Sequence, residues 1–329
     1  MKYCLGIETT AHTFGASVLT FDGEVLSNEK DSYTTKKGGI VPHQAAQHHV
    51  EVCGVVIQNA LKKANKTIKD INLIAYSNAP GLGPCLRIGA MAARTLSILH
   101  KIPIVGVNHC IAHLEIGRLL TKAKDPVLLY ASGANTQIIA YDGKKYRIFG
   151  ETLDQGIGNF IDSFARHLGI GFPGGPKIYE LSLKGKNYID LPYTVKGMDV
   201  SFGGLLTNLK HKIDSKRYSK EDLAFSVQET VFAMLLEVSE RAMAHCQKNE
   251  LLLGGGVACN KRLQEMAKIM CKERNAKCYI LENQYNLDNA AMIGWTGILQ
   301  YKAGQKLKPE DAAIYPYERT DDVIVTWRE

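Results

Sequence analysis

Two histidines four residues apart, in His109-Cys110-Ile111-Ala112-His113, have a spacing that can do chemistry. On a helix, positions i and i+4 share one face, so two imidazoles there form the first half of a metal site. A helical His pair taken alone is more often packed or solvated, and further ligands must converge on it. Asp288, in Asn286-Leu287-Asp288-Asn289-Ala290-Ala291-Met292, is expected to begin a helix and is a natural carboxylate. Tyr130, at the end of an expected strand, can add a phenolate. Two imidazoles with oxygen ligands suit iron or zinc rather than magnesium. A zinc peptidase helix needs H-E-x-x-H with the Glu as general base, and position 110 here is Cys. Peptide hydrolysis by that route lacks its base.

Three further stretches could hold an anion or a flat ring. Glu8-Thr9-Thr10-Ala11-His12-Thr13 offers three hydroxyls, and Ser132-Gly133-Ala134-Asn135-Thr136 offers two hydroxyls, an amide and a glycine. Small residues let backbone N–H groups approach a phosphate. Each alone is also an ordinary hairpin turn. Gly254-Gly255-Gly256-Val257-Ala258-Cys259-Asn260 follows an apolar run and precedes a helical one, leaving room for a ring against backbone and Asn260 to hydrogen-bond. A tight strand-to-helix crossing would use the same glycines. Asp154 and Asp162 flank Gln155-Gly156-Ile157-Gly158-Asn159-Phe160-Ile161, where each could cap a helix or face a nucleotide. Gly171-Phe172-Pro173-Gly174-Gly175-Pro176 is expected to exclude regular structure, as a lip over a ligand or a plain loop.

The elements that must position these residues repeat. Residues 3–8, 15–21 and 24–28 read as strand, strand and strand, with a polar turn and then Asp22-Gly23 between them. Residues 126–131, 137–141 and 144–149 follow the same order around Ser132–Thr136 and Asp142-Gly143, about 125 residues later. After each triplet come alternating helices and strands: helices at 42–65, 89–100 and 109–120 around strands 71–77 and 104–107; then helices at 156–168, 220–247, 260–275 and 287–301 around strands 251–253 and 277–281. This is an α/β pattern with mixed sheets, in which duplicated lobes describe an actin-like, Hsp70-like ATPase architecture. The lobes are expected at 1–122 and 123–329, with an insertion at about 170–219 and the last helices able to pack back on the first lobe. The tail from Lys302 is expected on the surface.

The 329 residues suffice for a large core without staples. Eight cysteines form no C-x-x-C pair, and neither a signal peptide nor a membrane-spanning run of about 18 apolar residues is present, so reduced thiols in a cytoplasm are expected. Forty Lys and Arg against thirty-three Asp and Glu leave +7, which permits a nucleic-acid partner without demanding one. Basic residues gather at 36–37, 62–69, 210–217 and 268–277; most are solvated helix faces, and one or two groups could follow an RNA backbone.

Together, Gly6–Thr13, Asn108–His113, Ser132–Gln137, Gly156–Asp162, Phe172–Pro176, Gly255–Asn260 and Asp288–Ile293 run in an order that closely resembles the TsaD/OSGEP family of tRNA adenosine threonylcarbamoyltransferases. The resemblance covers the chain from Tyr3 to about Tyr317, and Ala11-His12-Thr13 and Ser132-Gly133-Ala134-Asn135 are similar to the archaeal, KEOPS-complex branch. It implies a metal held by His109, His113, Asp288 and Tyr130, with iron preferred to zinc. It implies an adenine nucleotide held by Tyr130, Ala131, Ser132, Gly133, Ala134, Asn135, Asp162, Gly175 and Asn260. Two positions depart from the family. Tyr179 stands where relatives usually carry a ribose-binding Glu, so either its hydroxyl makes that nucleotide contact or the ribose is held more weakly, and Thr9 replaces a common glycine of the first turn.

The reaction so implied moves threonylcarbamoyl from threonylcarbamoyl-adenylate to N6 of the adenosine 3′ of the anticodon in ANN-decoding tRNA, releasing AMP. The implied partners are tRNA and KEOPS subunits, including a small atypical kinase and a dimerising subunit, with no membrane. His12 or Glu8 is expected to manage protons near N6. Helix 42–65 is a candidate docking surface. The alternatives are an actin-fold small-molecule kinase, which needs no His109/His113 pair, and an ATP-binding metalloprotein scaffold.

Overall fold

Each strand triplet seeds a five-stranded sheet, and the two sheets have the same topology in the computed structural model, which describes residues 1–35 and 40–328. The chain begins with β1 (Tyr3–Glu8), β2 (Thr13–Thr20) and β3 (Val25–Ser32), then α1 (Pro42–Lys63), β4 (Ile71–Ala79), α2 (Gly83–His100), β5 (Ile104–Asn108) and α3 (His109–Leu120). It continues with β6 (Val127–Ala131), β7 (Thr136–Asp142), β8 (Lys145–Glu151), α4 (Ile157–His167), α5 (Gly175–Ser182), a small hairpin of β9 (Val195–Lys196) and β10 (Asp199–Val200), and α6 (Gly203–Asp214). Then come α7 (Lys220–His245), β11 (Glu250–Gly254), α8 (Lys261–Glu273), β12 (Lys277–Ile280), α9 (Asn283–Asn286) and α10 (Ala290–Lys302). The first sheet has the order β3-β2-β1-β4-β5 and the second β8-β7-β6-β11-β12. In both, the triplet is antiparallel, and the first strand of the triplet then pairs in parallel with the later strands.

Packing explains the near-continuous apolar runs. All of β2 is buried, because α1 covers one face of the first sheet and α10 the other. A strand covered on both faces loses the usual apolar–polar alternation. Helix α10 follows the second sheet in the chain, yet packs on β1, β2, β4 and β5 and against α3. Helix α3 is buried from His109 to Gly117 because it lies between the sheets. Cys110, Ile111 and Leu114 face Leu128, Tyr130 and Leu252 of the second sheet; Ala112 and Ile116 face Val105 and Val107 of the first. Asn108 caps it, accepting from the amides of Cys110 and Ile111 at 3.1 and 3.4 Å, a contribution of about 1 kcal/mol.

Three expectations are corrected. Helix α2 begins at Gly83, six residues early, since Pro84 in a first turn removes an N–H that had no partner there. Residues 171–176 do not exclude regular structure, because α5 starts at Gly175 with Pro176 in its first turn. Within 170–219, α5, the hairpin and α6 have no counterpart in the first half, and they bury Ile178, Ile189, Leu191, Val200, Phe202 and Leu209 in the core of the second sheet. The tail is not confined to the surface. It bridges Leu307 to Ile104 and Ile324 to Lys145, and buries Val325, so it ties the two sheets together. The pair Lys36-Lys37 lies outside the described residues. No helix among the described residues is long and apolar enough to cross a membrane.

Candidate metal centre and nucleotide cleft

The junction of β5 and α3 places His109 at the first residue of the helix and His113 one turn on, with ring centroids 4.8 Å apart. His109 Nε2 lies 3.1 Å from the Tyr130 hydroxyl and 3.4 Å from Asp288 Oδ1; His113 Nε2 lies 3.7 Å from the same carboxylate oxygen. One ligand atom each from His109, His113 and Asp288 fall within 4.8 Å of one another. The elements thus bring together all four residues named for a metal.

Asp288 does not begin a helix. It sits in the loop between α9 and α10, held by Asn289, whose carboxamide oxygen caps α10 through Met292 N at 3.1 Å and whose amide donates to Leu287 O at 2.8 Å. That frees the Asp288 side chain to turn toward α3.

The chemistry of the donor set fits a metal ion. Both His113 ring nitrogens are buried with no hydrogen-bond partner, a state that costs about 1–3 kcal/mol per unsatisfied group. His109 Nδ1 meets Glu8 Oε2 at 3.0 Å and Thr10 Oγ1 at 3.1 Å. Donation from Nδ1 to the Glu8 carboxylate leaves the Nε2 lone pair facing Tyr130 and Asp288, as metal-ligating histidines are arranged. Burial opposes a charge on His109, but Glu8, Tyr130 and Asp288 together hold its pKa well above the ordinary imidazole value. Burial drives the His113 pKa down. Burial also works to raise Asp288, yet the His109 charge and the nearness of both histidines hold its carboxyl well below the usual range.

Glu8 is fully buried, with Oε1 accepting from the Thr10 amide at 2.6 Å and from the Thr10 hydroxyl. The first turn is therefore not an open phosphate cradle. Thr9 and Thr10 are buried, and Thr13 Oγ1 is paired with Ser32 Oγ at 2.9 Å, so all three hydroxyls point inward. His12 is half-buried and edge-on to Phe172, with centroids 6.1 Å apart, across from the lip.

The second turn is open. Gly133 and Ala134 are exposed, while Ser132 Oγ braces the turn by accepting from Asn135 N at 3.1 Å. The start of α4 donates into its carbonyls, Gly158 N to Ser132 O at 3.0 Å and Asn159 N to Gly133 O at 2.9 Å. With two of its carbonyls bonded to α4, the turn keeps Gly133 and Ala134 at the surface. A Cβ on Gly158 would lie 2.7 Å from Gly133 Cα, so only glycine permits this approach. Gly255, at φ 90° with a virtual Cβ 2.4 Å from Ala131 O, brings the third glycine stretch against the same turn.

The remaining candidates divide. Asp162 Oδ1 accepts from Gly174 N at 2.7 Å, tying α4 to the lip, and burial pushes its carboxyl pKa up. Asp154 instead caps α6, accepting from Ser201 Oγ and Gly203 N, each at 2.7 Å. Gly175 opens α5 with free space beside its Cα, and Tyr179 stands half-buried one turn further. Asn260 already makes bonds within the fold and keeps one N–H of its amide to spare. Its oxygen caps α8 through Arg262 N at 2.9 Å, and its amide donates to Gln228 Oε1 at 2.5 Å. Gln228 in turn donates to Ser182 Oγ, forming a polar chain from α8 through α7 to α5. Sequence reasoning missed Gln228 and the part of Thr10; the one available signal was a Gln inside an apolar helical run.

Comparison with known proteins agrees with this geometry. The family model TsaD, tRNA N6-adenosine threonylcarbamoyltransferase, matches residues 24–295. The tRNA N6-adenosine threonylcarbamoyltransferase of Thermococcus kodakarensis is 54% identical over 98% of this chain and 99% of its own length. A probable bifunctional tRNA threonylcarbamoyladenosine biosynthesis protein of Methanocaldococcus jannaschii is 51% identical over 98% of this chain and 60% of its own. Among solved structures, T. kodakarensis HypF superposes with TM-score 0.67 at 14% identity, covering 92% of this chain and 48% of that one. Component A of the Acidaminococcus fermentans (R)-2-hydroxyglutaryl-CoA dehydratase gives 0.61 at 14% identity, covering 93% and 100%. Those two likenesses, with the duplicated sheets, establish the expected actin-like ATPase fold and nothing of activity. The sequence match is of a different order, and by it the chain belongs to the TsaD family, the tRNA N6-adenosine threonylcarbamoyltransferases of tRNA threonylcarbamoyladenosine biosynthesis.

Proposed function

We propose that this enzyme transfers threonylcarbamoyl from threonylcarbamoyl-adenylate to N6 of the adenosine 3′ of the anticodon in ANN-decoding tRNA, releasing AMP. One metal ion, iron in preference to zinc, assists within a KEOPS-type complex. The observation that carries this reading is the buried, unpartnered His113 facing Asp288 beside the exposed Gly133-Ala134 turn. In the transfer, N6 forms a bond to the carbamoyl carbon, the C–O bond to phosphate breaks, AMP departs and N6 gives up a proton.

Held by His109, His113, Asp288 and Tyr130, the ion would supply Lewis-acid polarisation of a carbamoyl or phosphate oxygen. The amides of Gly133 and Ala134, with Ser132 and Asn135 fixing the turn, take the charge that develops on the leaving phosphate. Ala131, Gly175 and Asp162 border the adenosine, Tyr179 offers its hydroxyl to the ribose, and Asn260 keeps α8 in register with α5. His12, half-buried at the mouth, receives the N6 proton. Glu8, with both oxygens engaged, acts on His109 as a positioning residue. The lobes divide at about 122/123, with α10 carried on the first. Helix α1, with Val50 and Val55 exposed, suits a docking partner such as the dimerising subunit, with the atypical kinase elsewhere on the complex.

The test is transfer of labelled threonine to unmodified tRNA by a reconstituted system with an adenylate-forming enzyme and the partner subunits. Wild type is expected to transfer, and folded His109→Ala and Asp288→Ala to fail. Undiminished transfer in both variants would remove the metal from the reaction.

A further inference from the structure

Positive charge is unevenly spread along this chain. Residues 166–220 hold ten Lys and Arg against four Asp and Glu, a net +6 out of the whole chain's +7. Everything else, thirty basic against twenty-nine acidic residues, is nearly neutral.

The fold gathers much of this charge into a continuous face. Arg166, exposed on α4, lies one turn from Asp162, the residue that ties α4 to the lip. Its neighbour His167 bonds Asp214 at the end of α6 at 2.9 Å, and Lys220 Nζ at the start of α7 reaches Leu168 O at 3.2 Å. The turn joining α6 to α7 carries Lys216 and Arg217, both exposed, and Lys212 Nζ sits 4.9 Å over the Tyr218 ring. Beside them a hollow of about 500 Å³ is lined by Tyr188, Lys212, Arg217 and Tyr218. Its two tyrosines are 55% and 40% exposed. Asp222, on the rim, accepts from the amides of Lys186 and Asn187 at 2.8 and 3.0 Å, which fixes its carboxylate on that side of the hollow. Asp190 is the other carboxylate of the hollow.

From this arrangement we infer that the α4–α6–α7 face is the track along which this chain holds the tRNA backbone, running from the cleft mouth to the Tyr188–Tyr218 hollow. The inference rests on the proposed tRNA reaction and locates its macromolecular substrate. Exposed cations in series neutralise phosphates and release counterions. Exposed aromatic rings among those cations stack unpaired bases, which loop RNA supplies and an acidic protein does not. The hollow has room for one unstacked nucleotide.

The test uses the full chain and a fluorescein-labelled, unmodified ANN-decoding tRNA transcript, with anisotropy read across a salt series. Lys212→Glu/Lys216→Glu/Arg217→Glu is compared with Lys62→Glu/Lys66→Glu/Lys69→Glu, which reverses an equal charge on the first half of the chain. The track variant is expected to raise Kd more than about tenfold at ~0.1 M salt and to lower the salt slope by about two. The control is expected to change Kd less than about threefold, and both variants to keep the wild-type melting temperature and AMP affinity. A Tyr188→Ala/Tyr218→Ala variant keeps the charge and is expected to weaken tRNA while leaving the salt slope unchanged. Equal losses in both charge variants, an unaffected track variant, or a wild type that binds no tRNA at low salt would overturn the track. An unaffected track variant would make the face a dock for an acidic protein. Wild type that binds tRNA through this face yet transfers nothing in the reconstituted system would sink the proposed reaction and leave the track standing.

Discussion

The two four-residue turns at Thr9–His12 and Ser132–Asn135 occupy the same place in the repeat, and they have become different devices. Each joins the first two strands of its triplet. In the first, Glu8 at the end of β1 is buried and draws the Thr10 amide and hydroxyl onto itself, then reaches His109. In the second, the corresponding residue at the end of β6 is Ala131, with no side chain to gather amides, and α4 takes the turn's carbonyls instead. One turn thereby backs the His109–His113–Asp288 cluster. The other stays open, as the proposed adenylate site requires. One carboxylate against one methyl group at equivalent positions accounts for much of the difference, since a buried carboxylate must be fully bonded or it will not remain ionised.

The largest break in this comparison comes from His113→Leu. Metal content is expected to fall to background and transfer by on the order of a thousandfold, the worth of several kcal/mol of Lewis-acid stabilisation. The metal-free variant is expected to melt higher than metal-free wild type, since buried nitrogens costing about 1–3 kcal/mol are gone. Calorimetry beside metal analysis reads both, and a lower melting point would mean that His113 is satisfied in the resting protein. Glu8→Gln sharpens the role of the first turn. Metal affinity should drop about 10–100-fold, as when the outer partner of a ligating histidine is altered, while AMP binding stays put in the same titration.

Gly158→Ala attacks only the second turn. Its Cβ would press on Gly133 and Ser132, at 2.7 and 2.8 Å, an overpacking of about 1–3 kcal/mol. AMP affinity is expected to fall roughly tenfold with metal content unchanged; loss of metal instead would mean that the turns are mechanically coupled. The first turn also predicts a pH dependence. His109 is held protonated in the metal-free state by Glu8, Tyr130 and Asp288 despite its burial. Metal uptake must expel that proton, so apparent affinity should climb about tenfold per pH unit until the raised His109 value is passed. In the metal-free chain the same raised pKa contributes stability that is full below about pH 6.5 and is lost as pH rises through the His109 value. A pH-independent affinity would contradict the Glu8–His109 arrangement. The smallest effect belongs to Tyr179→Phe, expected to cost about two- to fivefold in adenylate affinity, one ordinary hydrogen bond, and nothing in affinity for the 2′,3′-dideoxy analogue.

Much of the architecture was legible because local patterns carried it. Asp22-Gly23 and Asp142-Gly143 marked hairpins inside a duplicated triplet, and His109 and His113 at helical spacing marked a shared face. The elements within 170–219 were not legible because the helices are short, and they bury single residues such as Phe202 and Leu209 rather than a periodic stripe. Helix α2 was shortened because Gly83-Pro84 looks like a break when it is in fact a start.

Residue types and spacing alone determined that this chain folds as two like α/β halves and carries a His pair, two polar turns and a basic middle segment. The tertiary structure decided which turn stays open, that Asp288 leaves its helix to meet α3, that Asn260 caps α8, and that the middle segment is core on one side and cationic surface on the other. The physical reason is the range of the interactions. Strand pairing, helix periodicity and hairpin turns are settled within a few residues of chain. The bonding state of a buried carboxylate or imidazole depends on partners a hundred residues or more away, as Glu8 and His109 do on each other.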